Sequence, residues 1–326
     1  MSRPFRAPRW LSSGHVQTLG AALPFFAAAN DLVEERIWFD VAGGAVHARA
    51  WWHEGEARQT ALVLHGVAGT SEAKSVVRGG RALYRAGFNV VRLDLRGAGA
   101  GVQRAPTIYH AGLTEDVRVA VDSLAAHPRV TSLAIVAISL GGHVALKLAG
   151  EWGEAAPAGL RALVTISSPV DLEAATTEID RVRNLPYCAY VLRGLIAQVQ
   201  EFARLHPDKV KYDPSRLRSI RKIRDYHTHV IAPMHDFADA ADYHAKATAA
   251  PHLARVAVPT RMIHAEDDPM VPLGSVTPFL TNASRAIELL TSPGGGHVGW
   301  LGGLRERHWV HTWAIERAIE FVRGRA

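Results

Sequence analysis

The stretch LAIVAISLGGHVALKLAG, Leu133 to Gly150, limits what this chain can fold into more than any other segment. An apolar run of strand type stops at Ser139, and a helical run starts immediately after it. A serine at such a join projects its hydroxyl only on a strained turn, and the residues two before and two after must be small for strand and helix to pass closely. Here those positions hold Ala137 and Gly141, with Gly142 as a further small residue. The pattern is therefore small-x-Ser-x-small, one methyl away from G-x-S-x-G, and it makes Ser139 a candidate nucleophile.

Around this segment, short β-branched runs alternate with amphipathic ones, the pattern of a mostly parallel sheet covered by helices. Eight strands are expected at Val33 to Phe39, Ala45 to Trp52, Thr60 to Leu64, Asn89 to Leu93, Leu133 to Ile138, Ala162 to Ile166, Thr260 to His264 and Ala286 to Leu290. Helices are expected at Ser71 to Ala86, Thr114 to Ala126, Leu140 to Glu151 and Arg305 to Arg323. The turn DVAGGAV predicts an antiparallel hairpin of the first two strands at one edge. From Asp171 to Val256 no strand signal appears and prolines punctuate helical segments, so residues 171–256 read as a helical cap inserted into a core of residues 1–170 and 257–326.

A hydroxyl needs a base to take its proton, and the base needs an acid to fix its tautomer. In this fold class they follow in the order serine, acid, histidine. TRMIHAEDDPMVP supplies Asp267 and Asp268 after a late strand; alignment of the loop on Asp-Pro selects Asp268, with Asp267 a live substitute. SPGGGHVGW then supplies His297. The oxyanion needs backbone donors, for which the N–H groups of Leu140 and of Val67 in LVLHGVAGT are the candidates. His65, Gly66 and His143 stand beside these positions as candidate substrate-binding residues.

Composition excludes little. The chain has 326 residues, 48% hydrophobic and 21% charged, enough for one large core. A single cysteine, Cys188, forms no internal disulfide and reads as a small buried hydrophobe, so a reducing cytoplasm suffices for this fold. The net charge of +6 concentrates in KVKYDPSRLRSIRKIR, Lys209 to Arg224, which reads as an amphipathic helix with a solvated basic face. No nucleic-acid-binding signature accompanies it. The amino-terminal apolar patch, Leu19 to Ala29, is broken by Pro24 and too short to span a bilayer; with the basic segment it admits peripheral membrane contact. GAGAG, Gly97 to Gly101, lacks the third glycine of a dinucleotide site and reads as a loop beside the active site. HTHVIAPMHD has the ligand types for a metal, but its spacing fits neither a helical pair nor a finger, so it reads as a polar cap segment; no cofactor or metal is expected.

Taken together, LHGVAGT, LRGAGAGVQRAPTIYHAGLTEDV, AISLGGHVALKLAG, MIHAEDDPMVP and GGGHVGW resemble the YheT-like branch of the α/β-hydrolase superfamily, grouped with the mammalian ABHD lipid hydrolases and the yeast medium-chain ester synthases. PRWLSSGHVQTL and HDFADAADYHAKATA extend the resemblance over nearly the whole chain. The resemblance implies an α/β-hydrolase fold, a triad on Ser139, Asp268 and His297, and serine esterase or acyl-transfer activity on a small acyl ester. Departures from the family pattern are Ala137 for glycine, His143 for asparagine and Asp236 for glycine in the cap. Two readings compete with hydrolysis: acyl transfer to an alcohol, and a non-catalytic scaffold that binds a ligand under its cap. Apolar and aromatic cap residues Leu185, Tyr187, Tyr190, Leu192 and Phe202 point to an acyl chain as ligand or to the core of the cap itself. Tyr109 and His110 are placed either in the cleft wall or in support of their loop. The sequence leaves the oligomeric state open.

Overall fold

Strands such as ALVL, LAIVAI and ALVTI are apolar on both faces, so both faces need cover, which a parallel sheet between helical layers provides. The computed structural model of the chain describes residues 5–22, 32–302 and 312–325. It contains β1 (Glu35–Val41), β2 (Gly44–Trp51), β3 (Arg58–Leu64), β4 (Asn89–Leu93), β5 (Val130–Ile138), β6 (Leu160–Ile166), β7 (Thr260–Ala265) and β8 (Ile287–Ser292). These form one sheet in the order β1-β2-β4-β3-β5-β6-β7-β8. The expected hairpin is present, with β1 antiparallel to β2 and β2 antiparallel to β4; every other pairing is parallel.

Alternate residues of each strand feed opposite cores. On β3, Ala61 and Val63 face one core with Leu83 of α2 (Lys74–Arg85) and Phe321 of α10 (Thr312–Arg323). Leu62 and Leu64 face the other, with Val117 and Val121 of α3 (Glu115–Ala125) and Val144 and Leu148 of α4 (Leu140–Trp152). The chain steps from β3 to β4 in one direction and then back across β3 to β5. Right-handed crossovers place helices on opposite faces when the direction reverses, which opens a crevice at the carboxyl ends of β3 and β5.

Among the described residues, the segment between β6 and β7 holds no strand. It comprises α5 (Leu172–Ile179), α6 (Leu185–Leu205), α7 (Ile223–Tyr226), a π-helical turn (His227–Ile231), α8 (Ala232–Met234) and α9 (Ala240–Ala247). One expectation within it fails. Lys209 to Arg224 is not one helix: it leaves a 3₁₀ turn at Pro207–Lys209, passes through a second at Pro214–Ser219 and enters α7 at Ile223. Pro214 disfavours helical backbone before it, and Asp213 caps the turn that follows by accepting from Ser215 N–H. The apolar residues are inside all the same, with Leu217, Ile220 and Ile223 buried.

At the amino end, Gly14–Ala22 forms α1, while the rest of the apolar patch up to residue 31 lies outside the described residues. The first part of the helix expected at Arg305 to Arg323 lies outside them too.

Close approach explains Gly141. A Cβ there would stand 2.6 Å from the His65 carbonyl oxygen and 2.8 Å from Leu64 Cβ, so any side chain forces α4 off β3. Gly141→Val is expected to lower unfolding free energy by about 1–3 kcal/mol in urea denaturation. An unchanged midpoint would show that the helix and strand do not need this contact.

Candidate active site

Ser139 occupies the corner between β5 and α4 with φ 50° and ψ −118°, a conformation L-residues rarely adopt. Three backbone hydrogen bonds hold it there: its N–H donates to Ile166 O (2.9 Å), and its carbonyl accepts from Gly142 N–H (2.9 Å) and His143 N–H (3.2 Å). Ala137 lies fully buried on β5, paired with Leu64 and Thr165, and its methyl belongs to the core.

The order serine, acid, histidine brings three side chains into line. His297 Nε2 lies 3.1 Å from Ser139 Oγ, and His297 Nδ1 lies 2.9 Å from Asp268 Oδ2. Asp268 is held at its other oxygen, where Oδ1 accepts from the N–H groups of Met270 and Val271 at 2.9 Å each. Burial alone would raise the Asp268 pKa; the facing His297 and its hydrogen bond, His264 and Val271 N–H bring it below the ordinary carboxylate value. A charged Asp268 only accepts, so the His297 proton sits on Nδ1 and Nε2 is free to take the serine proton. Asp267 makes a different contact: its Oδ1 accepts from Gly296 N–H (2.8 Å), which ties the loop after β7 to the histidine loop. Burial, followed by the nearby Asp268, pushes its pKa up.

Residues that the sequence reading passed over complete the frame. His264, buried behind Asp268, meets the Val271 carbonyl with Nε2 at 2.7 Å, and burial lowers its pKa, so its neutral ring donates there. More consequential is α1. Thr18 Oγ1 accepts from His297 N–H (2.8 Å) and donates to Gly14 O (2.7 Å). The fully buried Gln17 accepts from Leu301 N–H (2.6 Å) and donates to Leu11 O (2.7 Å) and Leu301 O (3.3 Å). The histidine loop needs this brace because Val298 and Trp300 sit at φ 56° and 48°. The available signal was a glutamine and a threonine inside an apolar amino-terminal stretch, GHVQTLGAAL.

A cleft with about 770 Å³ of non-atom space, open solvent included, begins at Ser139 and His297 and runs under the helices between β6 and β7. Val67 and Leu140 line it beside the serine, and among the described residues no backbone acceptor pairs with either N–H. Gly66 stands against Ser139, where an added Cβ would lie 3.2 Å from the serine Cβ. His65 and His143 do not line the cavity. His65 is buried, with Nδ1 on Gly66 O (2.8 Å) and Nε2 accepting from Leu95 N–H (3.1 Å). His143 is buried between the carbonyls of Pro169 (3.2 Å) and Ala247 (3.1 Å), and burial lowers its pKa to about 4. Both histidines hold the frame.

The apolar residues of α6 divide between the two roles left open for them. Leu192 and Phe202 are core and Leu185 and Tyr190 are exposed, while Tyr187 meets His15 with a 2.8 Å hydrogen bond. From α6 it is Val191 and Leu195 that face the cavity, one helical turn apart on the other stripe. Tyr109 and His110 both line it, and the Tyr109 hydroxyl also supports its loop by accepting from Ala68 N–H (2.8 Å). Cys188 is buried, and burial pushes its thiol up to about 11.

A family profile described as "Serine aminopeptidase, S33" matches residues 55–299. The "Putative esterase YheT" of Escherichia coli (strain K12) is 30% identical over 253 residues, covering 77% of this chain and 74% of that protein. The "Monoacylglycerol lipase" of Saccharomyces cerevisiae is 24% identical over 263 residues, covering 78% of this chain and 57% of that protein. Among solved structures, ferulic-acid-bound Est1E from Butyrivibrio proteoclasticus aligns with a TM-score of 0.59 over 89% of this chain and 98% of its own, at 17% identity, a likeness of fold.

Asp268→Asn is expected to lower kcat by about 10³-fold or more, because the imidazole loses its tautomer and orientation, whereas Asp267→Asn costs less than about tenfold. Steady-state ester hydrolysis compares them, and equal losses would assign the acid wrongly. Thr18→Val is expected to lower kcat about ten- to a hundredfold through a displaced His297, with Thr18→Ser restoring it; a fully active Thr18→Val variant would remove the brace.

Proposed function

The chain belongs to the serine aminopeptidase S33 family of α/β-hydrolases, in its YheT-like branch, and is an ester hydrolase; from this we propose that it cleaves acyl esters through Ser139, His297 and Asp268 by way of an acyl-enzyme. The observation that carries the reading is the continuous line of hydrogen bonds from Asp268 Oδ2 through His297 to Ser139 Oγ at the mouth of the cavity. As Oγ attacks the ester carbonyl, His297 Nε2 takes its proton, and the resulting imidazolium faces the charged Asp268. The N–H groups of Val67 and Leu140 receive the oxyanion. His297 returns the proton to the departing alcohol, then activates the water that releases the acid and frees Ser139.

Residues 171–256 act as a cap that encloses one half of the ester. Apolar side chains from it, including Leu172, Ile179, Val191, Leu195 and Ile223, make most of that wall, which suits a lipid-like acyl chain. The monoacylglycerol lipase among the relatives supports the same substrate class. The peptidase in the family's description finds less support: among the described residues lining the cavity none is acidic, so nothing there pairs with a free α-amino group. Acyl transfer to an alcohol would share every step up to the acyl-enzyme and differ only in the acceptor. Among the described residues no helix is long and apolar enough to cross a membrane.

Hydrolysis of p-nitrophenyl esters over a range of acyl lengths, with and without ethanol, tests this reading. Wild-type turnover should favour chains the cavity can enclose and fall about 10³-fold or more in Ser139→Ala. Absence of turnover at every length, or turnover that survives the substitution, would overturn it.

A further inference from the structure

The cap helix α6 does more than wall the cavity. Val191 and Leu195 face the cavity from it, and at helical spacing beside them Gly194 and Gln198 reach the turn that carries the Val67 donor. That turn runs from Gly66 to Gly69 and is closed by Gly69 N–H donating to Gly66 O at 3.0 Å. Its third residue, Ala68, sits at φ 56°, where a turn normally places glycine. An alanine stays in that conformation only where its surroundings hold the backbone.

Three hydrogen bonds do so, and their direction is settled at both ends. The Ala68 N–H can only donate, so the Tyr109 hydroxyl accepts from it (2.8 Å). The Gly69 carbonyl can only accept, so the Gln198 amide turns its NH2 group toward it (3.0 Å) and its Oε1 toward Tyr109. The tyrosine proton then goes to Gln198 Oε1 at 3.2 Å, which closes a ring through Ala68, Tyr109, Gln198 and Gly69. Tyr109 lines the cavity together with Ser139, yet its one proton is already engaged by Gln198, so it is not itself a donor to the oxyanion. Gly194 makes a separate contact with the same turn. A Cβ on Gly194 would stand 2.7 Å from Ala68 Cβ, so α6 seats directly on the turn at a residue without a side chain. Glycine weakens a helix interior, and close approach is the reason for it here.

A donor stabilises an oxyanion best when it is held in place before the charge develops. The groups that hold the Val67 turn come from two places, Tyr109 from the loop after β4 and Gln198 from the cap, so the turn is fully braced only with α6 seated on it. We propose that Tyr109 and Gln198 are positioning residues for the oxyanion donor at Val67, and that α6 thereby makes the cap part of the catalytic apparatus as well as a wall for the acyl chain. The proposal rests on the esterase reading above and deepens it by adding a dependence of the chemical step on the cap.

Tyr109→Phe removes the shared oxygen and leaves the ring able to pack edge-on against His65, whose centroid lies 5.9 Å away. Gln198→Met removes both amide contacts at similar side-chain length. In steady-state hydrolysis of a medium-chain p-nitrophenyl ester, each variant is expected to lower kcat about ten- to a hundredfold while KM changes less than about threefold. The double variant should lose no more than the worse single variant, because both act through one chain of hydrogen bonds. Gly194→Ala, which helix propensity alone would favour, should lower kcat as well. An alkyl boronic acid supplies the readout that a merely structural role would not move. Ser139 Oγ adds to boron as its proton passes to His297, and the tetrahedral adduct places an oxygen in the oxyanion site, so its affinity should fall by the same factor as kcat/KM. Thermal unfolding shows which variants are folded. An unchanged kcat in both single variants, a loss confined to KM, losses that multiply in the double variant, boronic acid affinity that stays at the wild-type value, or activity that falls only in step with the folded fraction would overturn the proposal. If instead Ser139→Ala hydrolyses the same ester as fast as the wild type, it is the esterase reading that has failed.

Discussion

The backbone at Ser139 is the constraint on which the rest of this structure depends. A residue at φ 50° and ψ −118° costs of order 1–3 kcal/mol and persists only where its surroundings over-determine it. Here β6 supplies an acceptor for the serine N–H, α4 supplies two donors for its carbonyl, and the absence of a side chain at Gly141 lets α4 seat against β3. The strain pays for exposure: Oγ stands at the crevice between β3 and β5 while the backbone that carries it is buried in the sheet.

Ser139 is fixed firmly by its backbone, whereas His297, which faces it, lies on a loop. Four side chains from elsewhere in the chain compensate. Asp268 orients the ring, Asp267 holds Gly296, Ser167 Oγ accepts from Val298 N–H at 3.1 Å, and Thr18 of α1 accepts from the backbone of His297 itself. The two adjacent aspartates are divided electrostatically, with Asp268 pulled down by the histidine it faces and Asp267 pushed up by burial and by its neighbour. One is suited to stabilise an imidazolium and the other to hold a loop. The brace from α1 lies outside residues 55–299, the span matched by the family profile.

The sheet was legible because its signal is local: ALVL, NVVRL and LAIVAI are apolar on both faces, and each became a strand within two or three residues of the expected limits. That Ser139, Asp268 and His297 would meet was legible for a different reason, since chain order in a doubly wound sheet selects among many similar residues. What depends on three-dimensional packing was not legible. Lys209 to Arg224 has helical periodicity in its apolar residues, yet Pro214 and the cap at Asp213 break it into turns that bury the same residues. Tyr190 and Val191 are equally apolar on paper, and only the facing of α6 decides that Val191 reaches the cavity. Asp236 sits at φ 58°, a backbone conformation that glycine adopts more readily, which the sequence does not reveal. HTHVIAPMHD carries a wall of the cavity through His227, by way of contacts to Glu173 and His244 that no spacing rule contains.

The account stands on Ser139 being the nucleophile. Reaction of the protein with a fluorophosphonate, followed by peptide mapping, tests this most directly. The account predicts a single phosphonylated residue at Ser139, with the modification lost in Ser139→Ala and slowed in variants of His297. No modification of the folded wild type, or modification at another residue, would contradict it.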